Sequence, residues 1–166
     1  MGSLAFRSVQ GGCTGEEFTE NLKKDGDSQG SKWYDYESSP KWIEASFKTP
    51  VRVKFLQLKS ANDCQRRDPY EITIQIGKLE QIAHFSYIIY NSRYEVKDFH
   101  VDTLEEIFCL RIRIHRNLGM AQGEVDQYGT QLAQVILYLS KSKLEDYINL
   151  VNLYIHNYFS KLLVIV

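Results

Sequence analysis

A chain of 166 residues with 20 Lys+Arg against 21 Asp+Glu carries a formal net charge of −1. That balance excludes a strongly basic nucleic-acid binder and an acidic disordered tail. With 43% hydrophobic and 25% charged residues, the chain has globular composition and the length for one domain with a sizeable core. The 11 Tyr and 8 Phe set against 3 Pro favour β structure, because aromatic rings fit a pleated, half-buried surface.

The segment before Pro40 is rich in Gly, Ser, Asp and Lys and reads as loop, with at most one short strand around Ala5–Val9. It has no apolar run of signal-peptide length, and Phe6 stands where myristoylation wants Ser or Thr. The sequence holds no Asn-x-Ser/Thr sequon. Cys13, Cys64 and Cys109 lie far apart with no CxxC spacing, which argues against a disulfide framework or a zinc knuckle. Together these features point to a cytoplasmic protein.

Beyond Pro40 the pattern turns to alternation. Trp42–Phe47 reads as a strand ending before a turn at Thr49-Pro50. Val51, Val53 and Phe55 then share one face, after which the apolar phase slips to Leu56 and Leu58. A one-residue slip flips the buried face, so a β-bulge or a strand covered on both sides is expected near Phe55-Leu56. Ile72, Ile74 and Ile76 alternate without a slip, as do Leu110, Ile112 and Ile114 against Arg111, Arg113 and His115. Ile82–Tyr90 and Leu132–Leu139 are further runs of strand length. Seven or eight short strands with polar turns predict an antiparallel sandwich, and no strand–long helix–strand rhythm competes with it.

Lys143–Val166 lacks Pro and Gly and reads as a helix with Leu144, Ile148, Val151 and Ile155 on one face. Tyr147–Val166 has bilayer-spanning length, but Asn149, Asn152, His156, Asn157 and Lys161 favour a packed or partner-binding amphipathic helix over a membrane anchor. The expected organisation is a β-sandwich over residues 1–140 and a helical tail over 141–166.

Enzyme signatures are missing: there is no GxSxG, P-loop, GxGxxG or HExxH. His84, His100, His115 and His156 are scattered without metal-ligand spacing. Glu16-Glu17 and Glu105-Glu106 are sequence neighbours, which point to opposite sides if their segments are extended.

Three stretches carry the polar chemistry. Asn21–Trp33, followed by Tyr34, Asp35 and Tyr36, holds an Asp-Gly-Asp turn. Asp25, Asp27 and Ser31 offer hard oxygens of the kind calcium takes; an Asp-Gly turn leading into a strand is the plainer reading. Ser60–Pro69 places Asn62, Asp63, Arg66, Arg67 and Asp68 on one loop. Arginine forks there suit carboxylates, phosphates or sugar hydroxyls, and an Arg–Asp network pinning the loop suits the pattern equally. In Arg111–Asn117 the alternating basic residues read as a solvated sheet face, with Arg116 and Asn117 at the strand end.

In this order, the segments Asp25–Trp33, Lys41–Phe47, Pro50–Pro69, Phe108–Gly119 and Gln131–Tyr138 resemble the galactose-binding-like jelly roll of discoidin or coagulation-factor type C domains. The resemblance is to the carbohydrate-binding-type modules found with some peptide:N-glycanases, and it covers about residues 5–139. It implies calcium held by the DG loop and an acid in the closing strand. Here Asp25, Asp27 and Ser31 match the loop, and Gln134 replaces the acid, removing one negative charge and weakening metal binding. Tyr70-Glu71 and Gly77-Lys78 stand where such modules carry a Trp and a Gly-Ser turn.

The resulting expectation is a non-catalytic module that recognises a glycan or other polar ligand through loops at one end of the sandwich. Trp33 and Tyr36 are the candidate aromatic platform, although a core position at a strand start is the plainer reading of Trp33, and Arg66, Arg67, Asp68 and Asn117 are the polar contacts. The alternative is an intracellular protein–protein adaptor using the same loops or the C-terminal helix.

Overall fold

The alternating segment after Pro40 becomes one long strand in a computed structural model of the chain, which describes residues 5–8, 21–23, 32–35, 41–61, 64–124 and 129–140. The elements are β1 (Ala5–Ser8), β2 (Trp33–Asp35), β3 (Lys41–Lys59), β4 (Pro69–Ile76), β5 (Glu80–Phe85), β6 (Val96–His100), β7 (Ile107–Asn117), the short helix α1 (Leu118–Ala121), β8 (Thr130–Leu132) and β9 (Gln134–Ser140). A 3-10 turn spans Gln65–Arg67. The helix expected over 141–166 lies outside the described residues.

Strand β3 belongs to both layers. Its first half pairs antiparallel with β1 and β7, within the strand path β1-β3-β7-β4-β5. Its second half pairs antiparallel with β6 and β9. The register with β7 shifts between Ser46 and Val51, where the strand crosses from one layer to the other. Thr49-Pro50, read from sequence as a turn, is this corner; a proline is tolerated there because no ladder bond is needed from it. Both ends of β3 therefore face the same end of the sandwich. Lys41 stands opposite Ile114, near the end of β7, and Lys59 runs into Ser60 and Ala61 beside the start of β4.

The phase slip has the expected cause. The β3–β9 register shifts between Val53 and Phe55, so Val53 and Leu56 both point inward and are fully buried. Phe55 goes to the outer face and stacks on Tyr138 with ring centroids 4.1 Å apart. Val53, Leu56 and Leu58 from one layer meet Ile43, Ile72, Ile74, Leu110 and Ile112 from the other in a single core. Each such side chain contributes about 1.5–3 kcal/mol by leaving water.

Two strand expectations need correction. The run Ile82–Tyr90 is strand only to Phe85; Ile88 leaves the ladder and donates its N–H to the Tyr70 carbonyl. Trp33–Asp35, read as loop, pairs with β8 in a separate two-stranded sheet. Cys109 is a free thiol.

Candidate functional site

Asp68 ends the 3-10 turn, and β4 begins at Pro69, opposite Asn117 at the end of β7. The Asp68 side chain is 1% exposed, and a buried carboxylate needs a partner. Arg93 supplies it with two hydrogen bonds, Nη1 to Oδ1 at 3.1 Å and Nη2 to Oδ2 at 2.6 Å. The same Nη1 donates to the Ala61 carbonyl at 3.2 Å, tying the loop after β3 to the loop after β5. Leu118 N–H donates to the Asp68 carbonyl at 3.0 Å. Tyr90 is fully buried, and burial first, then the negative charges of Asp68 and Glu95, push its hydroxyl pKa above the ordinary tyrosine value.

Asn117 is the second anchor. Its Oδ1 accepts from Met120 N–H at 2.8 Å and caps α1, and its Nδ2 donates to the Gly129 carbonyl at 2.7 Å. Gly129 has φ of +70°, and a Cβ there would lie 2.3 Å from the Asp35 carbonyl oxygen. Only glycine allows β8 to approach β2 this closely. Gln131 then donates to the Cys64 carbonyl at 2.9 Å, joining β8 to the 3-10 turn.

This scaffold presents Arg66 and Arg67. The Arg66 side chain is 51% exposed, and its Nη1 lies 3.2 Å from Glu124 Oε1. The Arg67 guanidinium lies over the Tyr34 ring, 4.7 Å from its centroid. Farther along the same end, the Tyr70 ring meets Tyr87 edge-on at 5.6 Å and carries the Arg116 guanidinium at 5.6 Å. Arg116 Nε donates to Glu71 Oε2 at 2.6 Å, and His84 Nε2 sits 3.1 Å from Glu71 Oε1. The Arg116 hydrogen bond leads in holding the Glu71 carboxyl below the usual range. Burial, followed by the Arg113 charge, lowers the His115 pKa.

The predicted ligand residues thus divide. Trp33, expected as an exposed platform, is 1% exposed and packed in the core, so it offers no ring face to a ligand. Asp68 and Asn117, expected as ligand contacts, are each 1% exposed; their polar atoms hold loops together. Arg67 is half-buried over Tyr34, and Arg66 is exposed. Tyr36, Asp25, Asp27 and Ser31 lie outside the described residues. Gln134, expected as a metal ligand, is half-buried at the start of β9, with Lys59 as its cross-strand neighbour. No group of three or more His, Cys, Asp or Glu side chains among the described residues is placed to hold a metal.

Sequence reading missed Arg93, the partner of Asp68. It lies 25 residues away in the loop between β5 and β6, outside every stretch that the sequence pattern marks, and an Arg–Asp pair leaves no local pattern. Tyr70, Tyr87 and Arg116 were missed as a group for the same reason: only the pairing of β4 with β5 and β7 brings them together.

No protein-family model matches the chain, and no curated protein matches it by sequence. Solved structures do. The F5/8 type C domain of a Bacteroides fragilis protein superposes with a TM-score of 0.61 at 10% identity, covering 84% of this chain and 93% of that one. A fucose binding module of Streptococcus pneumoniae gives 0.57 at 16% identity, covering 82% and 93%. The lectin domain of lectinolysin, complexed with Lewis B antigen, gives 0.56 at 10% identity, covering 84% and 94%. The shared feature is the fold, an antiparallel jelly-roll sandwich.

Proposed function

We infer that this galactose-binding-like sandwich is a non-catalytic module that binds a glycan through the end carrying Arg66. The observation that carries this reading is the division just described: the buried polar residues fix the loops, and Arg66 is the exposed one of the five described candidates. A sugar presents vicinal hydroxyls that donate and accept. The Arg66 guanidinium offers donors in a planar fork, and the Glu124 carboxylate beside it accepts, so one diol can bridge the pair. Held on a turn tied to β4, β8 and α1, these groups lose little freedom on binding. The fucose binding module and the lectin domain of the same fold support a glycan as the ligand class. Calcium, if bound by Asp25, Asp27, Ser31 and Gln134, would contribute positive charge and loop order.

The experiment is binding of the intact chain to a broad glycan array, with the Arg66→Ala variant alongside. Discrete binding lost in the variant supports the reading. A blank array together with a stoichiometric protein partner in pull-down supports the adaptor alternative instead.

A further inference from the structure

A groove of about 440 Å³ opens where the chain leaves β5, between Phe85–Ile89 and β6. Its volume falls within the range of small-molecule sites, roughly 300–1,000 Å³. Three features set it apart. Tyr87 is 78% exposed and has φ of +58°, a left-handed backbone conformation costly for an aromatic residue. Phe85 and Phe99, in edge contact at 5.0 Å, make an apolar floor. Asn91, Lys97 and Asp98 line the same groove, bringing an amide, an ammonium and a carboxylate to its rim. Asp98 Oδ1 is fixed by Gln57 Nε2 at 2.8 Å, which orients the carboxylate.

An exposed aromatic in strained backbone, next to oriented polar groups, is an unfavourable arrangement for the free protein and a suitable one for an amphipathic ring. Lys97 is paired with Glu95 and Asp98 with Gln57, so a purely apolar partner would cover these pairs and the Asn91 amide without offering them a hydrogen bond. A pyranose has the complementary distribution: a C–H face for an aromatic ring and a rim of hydroxyls for amide, carboxylate and ammonium. We propose that this groove is a carbohydrate subsite distinct from the Arg66–Glu124 pair, with Tyr87 covering the C–H face of a pyranose and Asn91 and Asp98 meeting its hydroxyls. It goes beyond the reading above and stands whether or not Arg66 contacts a sugar.

The test is a titration of the isotope-labelled intact chain with methyl β-D-galactopyranoside and, separately, methyl α-L-fucopyranoside, followed by backbone amide shifts. The expected result is saturable shifts at Tyr87–Asn91 and Lys97–Phe99 with at least one sugar. Binding read at the groove amides should weaken about tenfold in Tyr87→Ala, the worth of one aromatic contact. Tyr87→Gly is the second variant, because glycine takes a positive φ without strain and should keep the fold while losing the contact. No saturable shift in the groove with either sugar overturns the proposal, as do shifts of equal affinity in the folded Tyr87 variants.

Discussion

Arg93 grips Asp68 through two parallel hydrogen bonds, and the carboxylate it holds is 1% exposed. The pair ties the loop before β4 to the loop after β5, so the exposed turn bearing Arg66 stands on a buried charge pair. Removing one partner leaves the other charge stranded. Arg93→Ala should cost about 3–5 kcal/mol in urea unfolding. Arg93→Lys should recover only part of it, because an ammonium cannot make the paired fork. A loss below about 1 kcal/mol in Arg93→Ala would mean that the pair is not what holds these loops.

Gly129 and Gly77 form a matched comparison, since both have positive φ, +70° and +52°. At Gly77 an added Cβ meets nothing within 4 Å, so Gly77→Ala should cost only the backbone penalty of about 1–2 kcal/mol. At Gly129 the Cβ would strike the Asp35 carbonyl at 2.3 Å, so the same change should cost clearly more and separate β8 from β2. Thermal melts of the two variants check this; equal losses would contradict the close approach.

Acid should weaken the fold in two stages. The His115 pKa is lowered in the folded state, chiefly by burial, so the unfolded chain takes up that proton first. Stability therefore declines as pH falls through about 6.5, the ordinary imidazole value, and the decline ends once the folded imidazole also protonates. The Glu71 and Glu95 pKa values are lowered as well, led by hydrogen bonds from Arg116 and Lys97. Their contribution is full above the ordinary carboxylate range and disappears as pH falls through the folded values. In His115→Gln the loss between pH 7 and 5.5 should shrink while the loss below about pH 4.5 persists. An unchanged profile in that variant would assign the upper stage elsewhere.

The sandwich was legible in the sequence because alternation and burial share one cause. Ile72 and Ile74, or Leu110 and Ile112, point to a face that must be covered, and the phase slip read near Phe55-Leu56 corresponds to a bulge between Val53 and Phe55 that turns Phe55 outward. The site was less legible. Residue type marks Asp68 and Asn117 as polar and near a loop end, but not whether their atoms face a ligand or another loop. That depends on contacts such as Arg93 to Asp68 and Asn117 to Gly129, which the pairing of distant segments creates. Trp33 shows the opposite ambiguity: a tryptophan beside a polar loop can serve as a platform or fill a core, and here it fills the core.

The proposed calcium site draws its loop ligands from Asp25, Asp27 and Ser31 and its strand ligand from Gln134. With a neutral amide in place of an acid, binding should be weak, so a calcium concentration near tenfold Kd should add about 1.4 kcal/mol and raise Tm by a few degrees. Gln134→Glu restores a negative oxygen ligand and should enlarge the calcium-dependent rise. Identical melting with calcium and with chelator, in both proteins, would remove calcium from this fold.

The most direct test of glycan recognition at the Arg66 end compares the intact chain with Arg66→Ala on immobilised fucosylated and galactosylated glycans. Arg66 is 51% exposed and holds only one oxygen of the half-buried Glu124, so loss of the pair should change stability by no more than about 1 kcal/mol. Binding by the intact chain that falls by roughly tenfold or more in an equally stable Arg66→Ala is the expected result. Equal glycan binding by the two proteins, or none by either, would contradict it.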